Sequence, residues 1–150
     1  MAEILVVDDE EVVRTSVRAT LRRAGYVVTT AEDGVRGLVE LRKNPRFDLV
    51  ITDLVMPELD GTRLIAAMQD DSRFENIPTL IMSGNVCMTQ ICTLLEAGAS
   101  RFLAKPVLGS RLLAEVHSLL EPQSSLDDWT PPSVAVPHTY FGDQVHAPDE

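Results

Sequence analysis

The sequence predicts an α/β chain built on a five-stranded parallel sheet, doubly wound with helices on both faces. Three observations lead there. Short apolar runs alternate five times with segments of helical period, and the connections between successive runs are too long for hairpins. Runs such as Ile4-Leu5-Val6-Val7 and Leu49-Val50-Ile51 are apolar without alternation, as strands covered on both sides require.

Ile4 to Val7 is the first strand candidate, and the stripe Val13, Val17, Leu21 and Ala24 behind it forms the first helix. Gly25 follows where a left-handed C-terminal cap belongs. Val27 to Thr30 is the second strand, and Leu38 with Leu41 opens the second helix. Leu49 to Thr52 is the third strand, followed by Leu64, Ile65 and Met68 on one helical face. Thr79 to Met82 is the fourth, followed by the stripe Ile91, Cys92 and Leu95 and a second cap candidate, Gly98. Arg101 to Ala104 and the stripe Leu112, Val116 and Leu119 complete the series. A flavodoxin-like strand order of 2-1-3-4-5 is the natural solution at this size, and no internal repeat competes with it.

The chain has 150 residues, enough to bury a core without disulfides or a structural metal. No apolar run approaches the ~18 residues of a membrane span. Acidic residues begin at Glu3 and Asp8, which does not fit a secretory leader, so a cytoplasmic location is expected. The net charge of −10 argues against a broad nucleic-acid surface and against an anionic membrane. Cys87 and Cys92 are spaced about 140° apart on a helix, match no metal or redox pattern, and are expected to be packing residues. Composition changes near Glu121: residues 122–150 hold five acids, no Lys or Arg, and five of the nine prolines. Residues 1–121 are therefore expected to form the domain, and 122–150 an acidic, Pro-rich tail or linker, mobile in the isolated monomer and ordered only against a partner.

In such sheets ligands bind outside the carboxyl ends of the strands, where strand order reverses. The residues standing there are Asp8 and Asp9 after strand 1, Asp53 after strand 3, Ser83 after strand 4 and Lys105 after strand 5. Three close carboxylates repel by about 4 kcal/mol per pair at an effective dielectric of about 20, and Lys105 compensates only one of them. An oxygen-only site with positions left for water suits Mg²⁺ better than zinc. A carboxylate beside Mg²⁺, an ammonium and a hydroxyl is also a plausible covalent phosphate acceptor. Taken singly, each residue has a plainer explanation. Asp8 or Asp9 could cap the first helix, Asp53 could initiate the turn at Met56-Pro57, and Ser83 and Lys105 could be ordinary loop and surface residues. Their shared location outweighs those explanations.

Four ordered motifs carry a resemblance. Val6-Val7-Asp8-Asp9-Glu10, Asp53-Leu54-Val55-Met56-Pro57-Glu58-Leu59-Asp60-Gly61, Met82-Ser83-Gly84 and Phe102-Leu103-Ala104-Lys105-Pro106 together resemble a response-regulator receiver domain, the phosphoacceptor half of two-component signalling, over roughly Ala2 to Glu121. The resemblance implies that Asp53 accepts phosphate from a histidine kinase or phosphotransfer protein. It also implies that Asp9, Asp53 and the backbone carbonyl of Val55 coordinate Mg²⁺, with Asp8 assisting through water. Lys105 would pair with the phosphoryl oxygens and precede a cis proline bond. Ser83 would be the switch hydroxyl and Phe102 the aromatic switch residue, with plain core packing as the lesser alternative for Phe102. Val55 cannot hydrogen-bond a hydrolytic water through its side chain, whereas Asn85 could.

The resemblance implies a signalling domain that assists only its own phosphorylation and dephosphorylation. A haloacid-dehalogenase-type phosphatase would want an acid where Val55 stands, and a nucleotide-binding module is disfavoured by the absence of G-x-x-x-x-G-K-[ST] and G-x-G-x-x-G. A phosphate-independent interaction domain stays open. No basic recognition helix follows the domain, so the expected output, unless an effector domain lies beyond residue 150, is contact with a downstream protein or with a second copy.

Overall fold

The computed structural model describes residues 2–56, 59–84 and 88–121. Pro57, Glu58, Asn85, Cys87 and the tail 122–150, on which expectations were placed above, lie outside the described residues. Strands and helices alternate throughout: β1 (Glu3–Val7), α1 (Glu11–Arg23), β2 (Val27–Ala31), α2 (Gly34–Lys43), β3 (Leu49–Asp53), α3 (Gly61–Gln69), β4 (Thr79–Ser83), α4 (Met88–Glu96), β5 (Arg101–Ala104) and α5 (Gly109–Leu120). All pairings are parallel, and the order is β2-β1-β3-β4-β5, as the sequence predicts.

Because side chains alternate across a strand, the continuous apolar runs feed two cores at once. Ile4, Val6, Leu49, Ile51, Leu80, Met82 and Leu103 pack under α1 and α5 against Val17, Leu21, Leu112 and Val116. Leu5, Val7 and Val50 face the other way, against Leu41 of α2 and Leu64 and Met68 of α3. A smaller cluster of Leu54, Ile65, Ile81, Leu94 and Ala99, with Phe102 packed on it, lies toward α4. All five residues of β3 and all five of β4 are buried, so the middle of the sheet is rigid scaffold for whatever its ends carry.

Helix ends follow from local chemistry. Asp33 and Asp60 cap α2 and α3, each accepting the backbone N–H three residues on, from Arg36 at 2.8 Å and Arg63 at 3.0 Å. Gly25 and Gly98 both adopt positive φ, 98° and 121°, just past α1 and α4, which is the conformation their predicted capping role demands.

Helix α4 corrects one expectation. The stripe predicted there was Ile91, Cys92 and Leu95, yet Leu94 is its buried residue, Leu95 is 43% exposed and Cys92 is a free, exposed cysteine. Cys92 is therefore not a packing residue. The helix is nine residues long and apolar around much of its circumference, so its composition alone does not single out a buried face.

Candidate functional site

Register sets the site. Val7 pairs with Thr52, so the next residues on the central strands, Asp8 and Asp53, emerge side by side at the carboxyl end of the sheet. Asp8 is held from three directions: its N–H donates to the Ala31 carbonyl at 3.1 Å, its Oδ1 accepts the Glu10 N–H at 2.8 Å, and its carbonyl accepts from Arg14 Nη1 at 2.6 Å. Its side chain is fully buried. Asp9 is exposed beside it, and Asp53, nearly buried, has its Oδ1 bonded to the Leu54 N–H at 2.8 Å. One carboxylate oxygen from each of Asp8, Asp9 and Asp53 lies within 4.8 Å of the others. The plainer capping explanation fails, because Glu10 occupies the N-cap of α1 and no side chain caps that end.

Lys105 enters from β5. Its N–H donates to the Ser83 carbonyl at 2.9 Å, which ties the ends of β4 and β5 together, and the Lys105-Pro106 bond is cis. Nζ lies 3.0 Å from Asp8 Oδ2, 3.1 Å from Glu10 Oε1 and 3.4 Å from Asp53 Oδ1. Burial disfavours the ammonium, but Asp8, Glu10 and Asp53 outweigh it and raise the lysine above its ordinary pKa. Asp53 moves up as well, to about 6, because burial and the Asp8 charge beside it outweigh the help from Lys105 and the Leu54 N–H.

Four carboxylates against the Lys105 ammonium and the Arg14 guanidinium leave an excess of negative charge facing a solvent-accessible opening. Asp8 Oδ2 is buried and has no aligned hydrogen-bond donor, so its contact with Lys105 is an ion pair by distance alone. A buried carboxylate oxygen with no aligned donor, in an oxygen-only set that carries excess negative charge, is what a hard divalent cation satisfies, and these residues fit Mg²⁺.

Comparison with known proteins identifies the family. The family model described as "Response regulator receiver domain" matches residues 4–117. The chain belongs to that family. This receiver domain is 39% identical over 104 residues to the two-component response regulator ORR5 of Oryza sativa subsp. japonica, covering 69% of the chain and 78% of the relative. It is 36% identical over 133 residues to the response regulator MprA of Mycobacterium ulcerans (strain Agy99), covering 89% of the chain. The chain spans only half the length of another relative, ORR7 of rice, and 56% of MprA. Among solved structures, the chemotaxis protein CheY4 of Vibrio cholerae superposes with a TM-score of 0.76 at 33% identity, over 80% of this chain and 99% of that one. The receiver domain is thus a two-component signalling module with a CheY-like fold.

Of the residues singled out in the sequence, Asp8, Asp9, Asp53 and Lys105 come together, and Ser83, 4% exposed, is tied to Lys105 through its carbonyl. Val55 is 71% exposed in the loop just past β3. Phe102 is half-buried against the Leu54 and Ile81 cluster, one residue before the Leu103-Ala104 end of β5. Three residues of the receiver domain escaped notice. Glu10 and Arg14 reach the site by long side chains, and Gly61 packs against the Asp53 carbonyl where a Cβ would collide. Glu10 and Gly61 stood inside the quoted motifs, and their neighbourhood was the available signal. Among the described residues no helix is long and apolar enough to cross a membrane.

Proposed function

We propose that Asp53 is the phosphoacceptor of this receiver domain and that a histidine kinase or phosphotransfer protein is its donor. The observation that carries the reading is the position of Asp53 between Asp8 and Lys105, with an ammonium 3.4 Å from its carboxylate. An Asp53 oxygen attacks phosphorus, forming a P–O bond. The P–N bond to the donor imidazole breaks, and the imidazole leaves with the electron pair. Asp9, Asp53 and the Val55 carbonyl would hold Mg²⁺, with Asp8 assisting through water. When bound, the cation neutralises charge on the transferring phosphoryl oxygens. Lys105 pairs with one of those oxygens. Burial, and then the Asp8 charge beside it, raise the Asp53 carboxyl to about 6.

Ser83 and Phe102 carry the signal outward. A phosphoryl oxygen gives the Ser83 hydroxyl a charge-assisted acceptor that the bare carboxylate does not offer in the same place, so the two states differ in free energy. Phe102 then changes its packing, and the altered α4-β5-α5 face meets a downstream protein or a second copy. A cytoplasmic setting belongs to this reading.

The test is intact mass after incubation with Mg²⁺ and acetyl phosphate. The expected result is one added phosphoryl group, labile to hydroxylamine, and none in Asp53→Asn. A phosphoryl gain by Asp53→Asn would sink the assignment. Steady turnover of a small phosphoester would instead favour the phosphatase alternative, against which Val55 stands where that chemistry needs an acid.

A further inference from the structure

Lys105 faces three carboxylates, and they are not equivalent. Asp8 and Asp53 are strand-end residues, buried, and each is held by a second bond: Glu10 N–H to Asp8 Oδ1, and Leu54 N–H to Asp53 Oδ1. Glu10 is different. Its side chain is 61% exposed and makes no capping bond at the start of α1, yet its Oε1 accepts a hydrogen bond from Lys105 Nζ at 3.1 Å. The Asp53 contact of the same ammonium is longer, 3.4 Å, and the Asp8 contact lacks hydrogen-bond alignment. In this unphosphorylated arrangement the lysine therefore donates an aligned hydrogen bond to an exposed carboxylate at the mouth of the site, while buried Asp8 Oδ2 stands 3.0 Å away.

We propose that Glu10 is a positioning residue that holds the Lys105 ammonium before phosphorylation, and that it sets the rate of phosphoryl transfer by competing with the incoming phosphoryl oxygens for that ammonium. The inference rests on the reading of Asp53 as phosphoacceptor. An ammonium has three N–H donors, and three carboxylates already surround it. A phosphoryl oxygen must displace one of them, and Glu10 is the one that can leave toward water without abandoning a buried charge. Its negative charge also stands where an anionic donor must enter.

The experiment compares phosphorylation rates of the wild-type chain, Glu10→Gln and Glu10→Asp with acetyl phosphate and with phosphoramidate, which carries one negative charge fewer. Thermal midpoints serve as the check on folding. Glu10→Gln should accelerate labelling by acetyl phosphate roughly three- to tenfold, and labelling by phosphoramidate by less. Glu10→Asp keeps the charge but draws it back by one methylene, so it too should accelerate labelling if contact with Lys105 is what matters. A Glu10→Gln rate at or below wild type, an equal gain with both donors, or a Glu10→Asp rate equal to wild type would each overturn the proposal. Failure of the wild-type chain to label with either donor would remove the phosphoacceptor reading and this inference together. Normal wild-type labelling with unresponsive variants would remove this inference alone.

Discussion

Gly61 lies against the main-chain carbonyl oxygen of Asp53 so closely that a Cβ at position 61 would overlap it, while the Gly61 N–H donates to the Leu54 carbonyl at 2.8 Å. The start of α3 is thereby clamped to the end of β3. The colliding atom is backbone, which cannot swing aside as a side chain would. Gly61→Ala should cost roughly 2 to 3 kcal/mol by overpacking. It should also slow phosphorylation more than its stability loss explains, because the shift falls on Asp53 itself. Urea unfolding and labelling rates measure both. An alanine variant with wild-type values in each would show that the loop gives way freely.

Asp53 makes the metal-free domain pH-sensitive, with a definite sign. Its carboxyl ionises at 3.8 in the unfolded chain and at about 6 in the native one. Between those values the native state binds more protons than the unfolded state, so this group's contribution to stability falls as pH rises through the window. Asp53→Asn removes the charge and keeps an oxygen for the Leu54 N–H. Without divalent cations it should stabilise the domain by on the order of 1 to 2 kcal/mol at about pH 7, after allowance for solvent screening, and by almost nothing below about pH 4. Unfolding midpoints in chelator at several pH values test this, and a variant no more stable than wild type near neutrality would contradict it.

The same titration governs the proposed cation site. A protonated Asp53 is a poor ligand, so Mg²⁺ affinity should drop as pH falls below about 6, approaching tenfold per unit. Asp9→Ala should weaken binding at all pH values by roughly tenfold or more, since few protein ligands hold an open, hydrated site. Calorimetric titration reads both effects. Affinity that ignores Asp9 or is flat with pH would place the cation elsewhere.

Phosphorylation should alter amide hydrogen exchange between Gly84 and Pro106, the stretch that joins Ser83 to Lys105 through α4 and Phe102. Ser83→Ala should still accept phosphate on Asp53 but lose most of that change. Phe102→Ala should blunt it too, and destabilise the domain by about 1 to 3 kcal/mol because the ring is only half-buried. If Ser83→Ala retains the whole response, the hydroxyl is not the coupling group.

The strands were legible because a parallel sheet covered on both faces demands unbroken apolar runs, and β1, β3 and β4 supply them. Asp8, Asp53, Ser83 and Lys105 were legible for a related reason: each stands at or just past the end of its strand, where the topology gathers functional groups. Glu10 and Arg14 were not, since their part depends on where a long side chain reaches in three dimensions. Gly61 acts through the space it leaves empty, which composition does not register. In α4 the apolar residues at 91, 92, 94 and 95 allow more than one buried face, and only packing against Ile81 and Ala99 selects Leu94.

That single anchor gives α4 a different evolutionary freedom from its neighbours. Helix α3 buries Gly61, Leu64, Ile65 and Met68, whereas α4 has Leu94 alone buried among its nine residues. Exchanges at those four α3 positions meet the core and are filtered by folding. Most exchanges on α4 meet solvent and change stability by no more than about half a kcal/mol. New binding preferences can therefore be written onto α4 by successive surface substitutions, without compensating change in the sheet that houses the chemistry.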